Sequence, residues 1–432
     1  MNYEKPNLAI FGGKPHIEHN FKKFNTIGLE EKNAAIEVIE SGVLSQFLGV
    51  WHDDFFGGPK VRELEKNFAE FFGVKHAVSV NSSTSALISA VGALDIQPGD
   101  EIIVSPWTMC ASATSILHWN AIPVFADIEL STFNIDPKSV CDKITSRTKA
   151  IMAIDIFGHS ANMLELREIA EEFNLKIISD TSQAPGALFH GKYAGTMADV
   201  GCLSLNYHKH IHTGEGGILL TDDDEICERL QLIRNHAEAV VEDKGYTRLS
   251  NMIGYNFRLG EIEAAIGIEQ LKKLPSIVNS RQNAAEKISN GLKDLNGLKV
   301  PKVFDYCTHA YYVYPMLVDS KKLGISSKLI CQALTAEGIQ GLASKYVNLH
   351  MLPIFQKKIA YGASGFPWNS NFCNGEISYE KGICPNAEML QDKMYLGLAM
   401  CLNDLTDFDI NCIISGFKKV WANLDSLKEF SK

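Results

Sequence analysis

From about residue 74 to residue 221, short apolar segments rich in β-branched residues alternate with segments of helical periodicity. This alternation predicts parallel strands joined by helical crossovers, because parallel neighbours need long connections and strands covered on both faces are apolar throughout. We therefore expect an α/β fold with a mostly parallel, seven-stranded sheet flanked by helices. The predicted strands are His76–Val80, Glu101–Ser105, Ile122–Ala126, Ala150–Asp155, Lys176–Asp180, Gly201–Leu205 and Ile218–Thr221.

Beyond Thr221 the pattern changes to longer helices, predicted over 223–236 and 258–274, with a further helix beginning near Ser276. A strand over 311–319 and a helix over 326–337 predict a second, smaller α+β unit. We expect a large domain with an N-terminal arm at 1–290 and a small C-terminal α+β domain at 291–432. Residues 353–385 have no regular period and predict a long ordered loop, of a length that is often functional.

Charge and cysteine content restrict the class of protein. Lys plus Arg number 41 against 51 for Asp plus Glu, a net charge of −10, which argues against nucleic-acid and membrane-surface binding. The ten cysteines contain no C-x-x-C pair, which favours a reducing compartment. The first 21 residues lack the pattern of a signal peptide, and no apolar run reaches membrane-spanning length. We therefore expect a cytoplasmic protein.

Two polar segments follow predicted strands, at the edge where ligands bind in open α/β sheets. Ser83 and Thr84 follow the first strand and begin a helix, where hydroxyls and free N–H groups could hold an anion. Helix capping is the simpler explanation, and these residues alone favour it. Asp180 ends another strand, where its carboxylate could meet a cationic group or begin a turn.

Residues 206–217, NYHKHIHTGEGG, lie between the last two predicted strands. Lys209 could act there as a Schiff-base nucleophile if burial lowers its pKa, although a single lysine is usually a solvated surface residue. His208, His210 and His212 would share one face of a strand, but no Cys or carboxylate set completes a zinc site, so we expect no metal. Trp107 follows a strand, where its ring could stack on a flat ligand or fill the core.

These features belong to the strand ends of one sheet. An anion site, an acid, a lysine and a flat aromatic ring together fit pyridoxal 5'-phosphate, which requires a Schiff-base lysine and an acidic partner for its ring nitrogen. The combination, rather than any single residue, predicts this cofactor.

Longer motifs carry a family resemblance. They read GGPKVRELEKNFAEFFGVKHAVSVNSSTSAL, QPGDEIIVSPWTMCASA, IISDTSQAPGALFHGKYAGTMADVGCLSL, KHIHTGEGG and IGYNFRLGEIEAAIGIEQL. Together they resemble the DegT/DnrJ/StrS sugar-aminotransferase family of fold-type I pyridoxal phosphate enzymes. The resemblance runs from about Gly12 to the C-terminus and is strongest from Gly58 to Leu274. It implies the fold-type I aminotransferase architecture and a homodimer with shared active sites.

The resemblance also implies roles for individual residues. It makes Lys209 and Asp180 catalytic, since Lys209 lies at the family's lysine position, seven residues before Gly216. The implied cofactor-binding residues are Ser83, Thr84, Trp107, Asp180, Gln183, Ser204, Lys209 and Asn256, the last reaching the neighbouring subunit's cofactor. Substrate contacts are expected from His309 and Asn206. Asp155 and Pro185 depart from the family pattern on the substrate side, which leaves the substrate more open than the cofactor.

The implied reaction is a two-stage transfer of an amino group from glutamate or glutamine to a ketone, in amino-sugar, surface-glycan or secondary-metabolite biosynthesis. A keto group on a nucleotide-linked sugar is the first expectation for the acceptor. A cyclitol ketone and a small phosphorylated keto-polyol are the alternatives. Three other functions stay open: a pyridoxal phosphate-dependent sugar dehydratase, a cofactor-bearing binding or regulatory protein, and a metal-dependent enzyme that uses the three histidines.

Overall fold

A computed structural model describes residues 8–373, 375 and 377–430 of the chain. Residues 1–7 of the predicted N-terminal arm and residues 374 and 376 of the predicted loop lie outside the described residues. No helix in the described part has the length and hydropathy that a membrane span requires. The strands are β1 His76–Val80, β2 Glu101–Val104, β3 Ile122–Phe125, β4 Thr148–Ile154, β5 Lys176–Asp180, β6 Leu188–Phe189, β7 Lys192–Tyr193, β8 Val200–Ser204, β9 Gly217–Thr221, β10 Leu298–Lys299, β11 Tyr314–Val318, β12 Leu342–Ala343 and β13 Tyr395–Leu398.

Seven strands form the central sheet, in the order β1-β9-β8-β5-β4-β2-β3. Only β9 runs against its neighbours in this sheet; β1 and the five strands from β8 to β3 share one direction. Strands such as β2, β3 and β8 are buried along their whole length, which explains their continuous apolar sequence. The predicted α/β class and mostly parallel sheet are confirmed, and each of the seven predicted strands is present within two residues of its expected ends.

Helices cover the sheet and build the second unit. They are α1 Leu29–Ser41, α2 Pro59–Phe72, α3 Ser83–Ala93, α4 Cys110–His118, α5 Pro137–Cys141, α6 Met163–Phe173, α7 Asp224–Arg234, α8 Ala237–Lys244, α9 Glu261–Leu292, α10 Ser320–Leu323, α11 Ser327–Ala336, α12 Pro353–Gln356, α13 Pro385–Met389, α14 Asp407–Ala422 and α15 Leu424–Phe430. Local sequence signals set the ends of several helices. In α6, for example, the Asn162 side chain caps the first turn and Asn174 ends the helix in the left-handed conformation.

One helix prediction is wrong. The sequence predicted one helix ending at Leu274 and another beginning near Ser276. The residue between them is Pro275, which removes a backbone donor and disfavours a continuous helix. The structure instead has the single helix α9, with Pro275 inside it. Buried residues lie on both sides of Pro275, and α9 packs against α1, α2 and α14. This tertiary packing outweighs the local preference of proline.

The strands β10, β11, β13 and β12 form a second, antiparallel sheet in that order. Its core also contains Leu8, Ile17 and Phe21 from the N-terminal arm. The buried Glu337 carboxylate accepts hydrogen bonds from two backbone N–H groups of that arm. The expected smaller α+β unit is therefore present, and the arm packs on it. The domain boundary near residue 290 stays a prediction.

The predicted loop 353–385 packs against the outer edge of the central sheet. It begins with the short helix α12, and most of the remainder has no regular secondary structure. Its buried Tyr379 donates a hydrogen bond from the hydroxyl to the carbonyl oxygen of Pro123 in the edge strand β3, at 2.7 Å. The loop thus covers part of a sheet edge whose backbone groups would otherwise lack partners.

Candidate active site

Several polar residues meet at the carboxyl-terminal edge of the parallel strands. Asp180 ends β5, Ser204 ends β8, and Asp155 directly follows β4. Ser83 begins the helix that follows β1. Open α/β sheets bind their ligands at this edge, so the topology places these groups where a cofactor is expected.

Lys209 lies in the segment 205–216 that joins β8 to β9. Its side chain is 8% exposed, and its Nζ lies 4.4 Å from the centroid of the Tyr312 ring. Burial lowers the pKa of the Lys209 amine, while the nearby Asp180 carboxylate acts in the opposite direction. A lower pKa enlarges the neutral fraction of the amine, and the neutral amine is the nucleophile.

Hydrogen bonds hold both carboxylate oxygens of Asp180. Oδ2 accepts a hydrogen bond from Ser112 Oγ at 2.8 Å, and Oδ1 accepts one from the backbone N–H of Ser182 at 3.2 Å. A carboxylate oxygen has more than one lone pair, so Asp180 retains acceptor capacity for a cationic N–H. The carboxylate is therefore positioned before any ligand arrives.

The start of α3 brings hydroxyl and N–H groups together. Ser82 caps the helix, Ser83 Oγ lies 2.6 Å from Ser182 Oγ, and Thr84 is exposed. A Cβ at Gly217 would lie 2.5 Å from the carbonyl oxygen of Ser82, so this close approach of β9 requires glycine. Free N–H groups at a helix start attract phosphate, and the neighbouring hydroxyls can donate to it.

Gln183 connects the sheet edge to the second unit. Its Oε1 accepts a hydrogen bond from the backbone N–H of Phe157 at 2.9 Å, and its Nε2 donates to the hydroxyl of Tyr346 at 3.2 Å. Tyr346 follows β12 and was not identified from the sequence. Segment 344–348 has no periodicity and no motif, so only the tertiary structure shows that Tyr346 reaches the site.

Two predicted residues are buried away from open space. Trp107 is 0% exposed, and its ring centroid lies 5.7 Å from that of Tyr346 and 5.5 Å from that of Tyr395. His309 is also buried and stacks on Tyr311 at 4.0 Å. Burial lowers the pKa of His309 well below its usual value. The structure therefore presents neither the free face of Trp107 nor a charged His309 to a ligand.

Ser204 and Asn206 lie beside Lys209, but their polar groups are partly engaged. Ser204 Oγ accepts a hydrogen bond from the backbone N–H of Asn206 at 3.3 Å. Asn206 Nδ2 donates to both carboxylate oxygens of Glu215, each at 2.9 Å. The expected substrate contact of Asn206 would require Oδ1, which is buried and has no hydrogen-bond partner among the described residues.

Asn256 is exposed beside the start of α3 in its own chain. Its Oδ1 accepts a hydrogen bond from Arg258 Nε at 2.8 Å, and its backbone oxygen accepts one from Asn81 Nδ2 at 3.3 Å. This surface position leaves Asn256 available to a second subunit.

The three alternating histidines lie in an irregular segment instead of a strand. His210 is buried, and its Nε2 lies 2.8 Å from the carbonyl oxygen of Ala310, to which it donates. His208 lies 6.0 Å from the Tyr312 ring, centroid to centroid. No set of three His, Cys, Asp or Glu residues suited to a metal occurs within the described ranges.

Asp155 is a further buried acid at the same edge. Its Oδ2 accepts hydrogen bonds from the hydroxyls of Ser179 and Thr181, and its Oδ1 accepts one from the backbone N–H of Ala161. Burial raises the pKa of Asp155 to about 6, and the Asp180 charge acts in the same direction. The sequence identified Asp155 only as a departure from a family pattern, because its hydrogen-bond partners are set by the fold.

Comparisons with known proteins agree with this geometry. The family model for the DegT/DnrJ/EryC1/StrS aminotransferase family matches residues 41–382. The chain belongs to this family. It is 34% identical over 358 residues to the spore coat polysaccharide biosynthesis protein SpsC of Bacillus subtilis, covering 82% of this chain and 89% of SpsC.

Two further similarities support the family assignment. The chain is 31% identical over 370 residues to the UDP-4-amino-4,6-dideoxy-N-acetyl-beta-L-altrosamine transaminase of Helicobacter pylori, covering 84% of this chain and 92% of that one. The crystal structure of an aminotransferase from Psychrobacter cryohalolentis superposes with a TM-score of 0.79 at 27% identity, covering 94% of this chain and all of that one. This DegT-family chain is thus a pyridoxal phosphate-dependent aminotransferase, as its sequence resemblance implied.

The site residues of this DegT-family aminotransferase fit the cofactor. The family's chemistry requires an amine, an acid for the ring nitrogen and an anion site for the phosphate. Lys209, Asp180 and the start of α3 provide one of each at one edge of the sheet. Neither the acid nor the amine is exposed, which strengthens their electrostatic effect on a bound ring.

Proposed function

We propose that this aminotransferase moves an amino group from glutamate or glutamine to the keto group of a nucleotide-linked sugar. The observation that carries the proposal is the buried Lys209 amine, of lowered pKa, near the fixed carboxylate of Asp180. The lowered pKa enlarges the neutral fraction of the amine, which is the form that would hold the cofactor and accept a proton.

Each of the site residues has a separate role in the proposed reaction. Pyridoxal phosphate supplies an electron sink when bound, and Asp180 keeps the ring nitrogen protonated so that the sink operates. Lys209 would move the proton between the substrate carbon and the cofactor. Ser83, Thr84 and Ser204 would donate to the phosphate, and Gln183 would lie beside the ring.

The sugar acceptor rests on the relatives. SpsC is named for polysaccharide biosynthesis, and the Helicobacter pylori relative is named as a transaminase of a UDP-linked amino sugar. A cyclitol ketone and a small phosphorylated keto-polyol are the other proposed acceptors, because the sequence departs from the family pattern at Asp155 and Pro185.

We further propose a homodimer with shared sites, in which Asn256 reaches the partner's cofactor phosphate. Exposed apolar side chains support an interface, and several of them fall within one segment of the chain: Ile36, Ile39, Val43, Leu44, Leu48, Val50 and Trp51. Surfaces of this composition commonly mark protein contacts. All ten cysteines are described and free, which supports a reducing, cytoplasmic location.

Borohydride reduction tests the role of Lys209. Protein loaded with pyridoxal phosphate is reduced, digested and mapped by mass spectrometry. We expect the cofactor on Lys209, none on Lys209→Ala, and unchanged labelling in Lys192→Ala, a control lysine on the exposed strand β7. Equal labelling of Lys209→Ala would overturn the assignment.

A labelled donor tests the reaction and the acceptor. Wild-type protein is mixed with glutamate or glutamine carrying ¹⁵N in the amino group and with one acceptor: a UDP-linked keto-sugar, a cyclitol ketone or a phosphorylated keto-polyol. We expect ¹⁵N in the product of the nucleotide-linked sugar. Loss of water without gain of ¹⁵N would instead show dehydration.

Complementation tests the shared sites. Mixed dimers of Lys209→Ala and Asn256→Ala contain one site with both wild-type residues, so we expect mixing to restore activity that neither variant has alone. Mixed dimers that form but stay inactive would contradict the shared-site proposal.

A further inference from the structure

Lys209 and Arg281 are buried cations that lie on aromatic rings. Lys209 Nζ lies 4.4 Å from the centroid of the Tyr312 ring, and the guanidinium carbon of Arg281 lies 4.6 Å from that of the Phe24 ring. Arg281 is on α9, is 5% exposed, and lies beside a cavity of about 250 Å³. The electron-rich face of an aromatic ring attracts a cation, and the attraction is strongest where water is excluded.

Arg229 shows how hydrogen bonds can hold a buried cation instead. Its guanidinium donates three hydrogen bonds to backbone carbonyl oxygens. Among the described residues, the side-chain amine of Lys209 has no hydrogen bond and no ion pair. The face of the Tyr312 ring is therefore the contact that compensates for the burial of this amine.

The other ionisable groups near Lys209 do not fix its amine in place. The Asp180 carboxylate favours the protonated amine, but its oxygens already accept two hydrogen bonds from other groups. His208 and His210 are neutral near neutral pH, because burial lowers the pKa of each imidazole. Neither histidine provides a charge that could hold the amine.

Tyr312 is itself a neutral phenol. Burial raises the pKa of its hydroxyl, the adjacent Cys401 thiol acts in the same direction, and the Arg281 charge acts in the opposite one. The Cys401 thiol is also neutral near neutral pH, because burial raises its pKa. The attraction for Lys209 therefore comes from the ring face and does not require the hydroxyl group of Tyr312.

We propose that Tyr312 is a positioning residue, whose ring face holds the protonated Lys209 amine whenever that amine is not bonded to the cofactor. Lys209 can then deliver its proton from one fixed place. The amine also stays away from the Asp180 carboxylate, which has to remain available to the ring nitrogen of the cofactor. Tyr312 lies shortly before β11, so this proposal makes the second unit part of the catalytic site.

The proposal rests on the proposed role of Lys209, but the contact between amine and ring can be measured without turnover. The enzyme is loaded with pyridoxamine 5'-phosphate, which forms no bond to a lysine and leaves the amine free. Brief acetylation by acetic anhydride at several pH values is followed by digestion and mass spectrometry. The extent of labelling reports the neutral fraction of Lys209, and the exposed Lys192 on β7 is the internal reference.

The pKa of the Lys209 amine should depend on the ring. Tyr312→Leu keeps the position apolar and removes the ring face, so the pKa of Lys209 should fall by about 0.5–1.5 pH units. Tyr312→Phe keeps the ring and should leave this pKa unchanged. An unchanged or higher pKa in Tyr312→Leu, or an equal fall in both variants, would overturn the proposal.

Tyr314→Leu is the matched control for loss of a buried tyrosine. Tyr314 is fully buried on β11, and its hydroxyl is hydrogen-bonded to Ser289 Oγ at 2.7 Å. Its loss should leave the pKa of Lys209 unchanged even where it lowers stability. A fall as large as that in Tyr312→Leu would show that general disturbance, and not the ring face, shifts the amine.

A second variant keeps the test decisive if Tyr312→Leu does not fold. Phenylalanines with one to three ring fluorine atoms, incorporated at position 312, keep the shape of the ring and weaken the negative charge of its face. The pKa of Lys209 should fall stepwise as fluorine atoms are added. The same pKa throughout this series would contradict a contact with the ring face.

The pH profile of kcat connects the contact to the reaction. The base must be neutral to accept a proton, so the acid limb of the profile should move to lower pH in Tyr312→Leu by the same amount as the labelling pKa, and stay in place in Tyr312→Phe. A limb that does not move with the labelling pKa would overturn the positioning role. Absence of transamination in wild type would overturn the proposed function, and the labelling result would still decide whether the ring holds the amine.

Discussion

The region of the central sheet and the cavity beside α9 hold their buried charges in different ways. In the sheet region, the Asp180 carboxylate accepts two hydrogen bonds and the Arg229 guanidinium donates three. Beside the cavity, Arg281 packs on the Phe24 ring and has two buried guanidinium nitrogens without partners among the described residues.

The difference separates buried charges that support the fold through hydrogen bonds from a buried charge that has none at two of its nitrogens among the described residues. A buried charge with partners is costly to remove because the partners are then left without it. A buried charge without partners contributes little to stability, and binding sites commonly retain such groups at a cost in stability. Asp180 combines both properties, since its partners fix it and leave acceptor capacity for a ligand.

The largest expected effect compares the two buried arginines. Arg229→Met should lower the free energy of unfolding by about 3–5 kcal/mol, because it removes three hydrogen bonds from a charged group to the carbonyl oxygens of Gly92, Ala93 and Ser250. Arg281→Met should lower it by about 1 kcal/mol or less, the contribution of a cation–π contact. Urea unfolding measures both values, and equal losses would remove the distinction between the two regions.

Asp180→Asn should reduce kcat by about 10²–10³-fold, since a neutral amide cannot hold the ring nitrogen in its protonated state. The measurement is steady-state turnover with saturating donor. Asp199→Asn is the matched control: Asp199 lies next to β8 at its opposite end and pairs with Arg167 and Lys176. This control should change stability more than turnover, and a loss of turnover as large as that of Asp180→Asn would contradict the role of Asp180.

The buried Asp155 predicts a dependence of stability on pH. Its pKa is raised from 3.8 to about 6 in the folded chain, so the folded state keeps a proton that the unfolded state has released. The stability contributed by this carboxyl therefore falls as pH rises from about 4 to about 6, by up to about 3 kcal/mol. Asp155→Asn should flatten that part of the profile in denaturant unfolding at several pH values. Parallel profiles for the two proteins would show that Asp155 does not titrate in this range.

Ser112→Ala should have the smallest effect. It removes one of the two hydrogen bonds to the Asp180 carboxylate and leaves the bond from the Ser182 N–H. We expect kcat to fall about tenfold or less, as for one hydrogen bond to a charged group. Ser115→Ala is the control on the same helix, because Ser115 Oγ donates only to the backbone oxygen of Ser112. Equal losses in both variants would indicate a general disturbance of α4.

Much of the sheet was predictable because its signals are local. Buried parallel strands have continuous apolar sequences, and turn residues punctuate their ends. Because β5 and β8 are parallel, the residues at their ends, Asp180 and Ser204, lie at the same edge of the sheet. This placement does not depend on which helices cover the two faces of the sheet. The short hairpin of β6 and β7 was missed, since two-residue strands are too short for a periodic signal.

The candidate site was less completely predictable. Lys209 and Asp180 are proposed from sequence motifs, and the structure brings them together. Tyr346 and Asp155 could be identified only from the fold. Tyr346 is hydrogen-bonded to Gln183, and Asp155 to Ser179 and Thr181, and each of these partners is distant in the sequence. The burial of Trp107 also needed the fold, because nothing local reveals that Tyr346 and Tyr395 pack around its ring.

The sequence by itself determined the α/β class, the positions of the seven sheet strands, the family and its cofactor, because periodicity and motifs are properties of neighbouring residues. The tertiary structure decided that α9 continues through Pro275, that the N-terminal arm packs on the second unit, and that Arg281 is buried beside a cavity. These outcomes depend on contacts between distant segments, whose packing free energy exceeds local preference and leaves no trace in a short stretch of sequence.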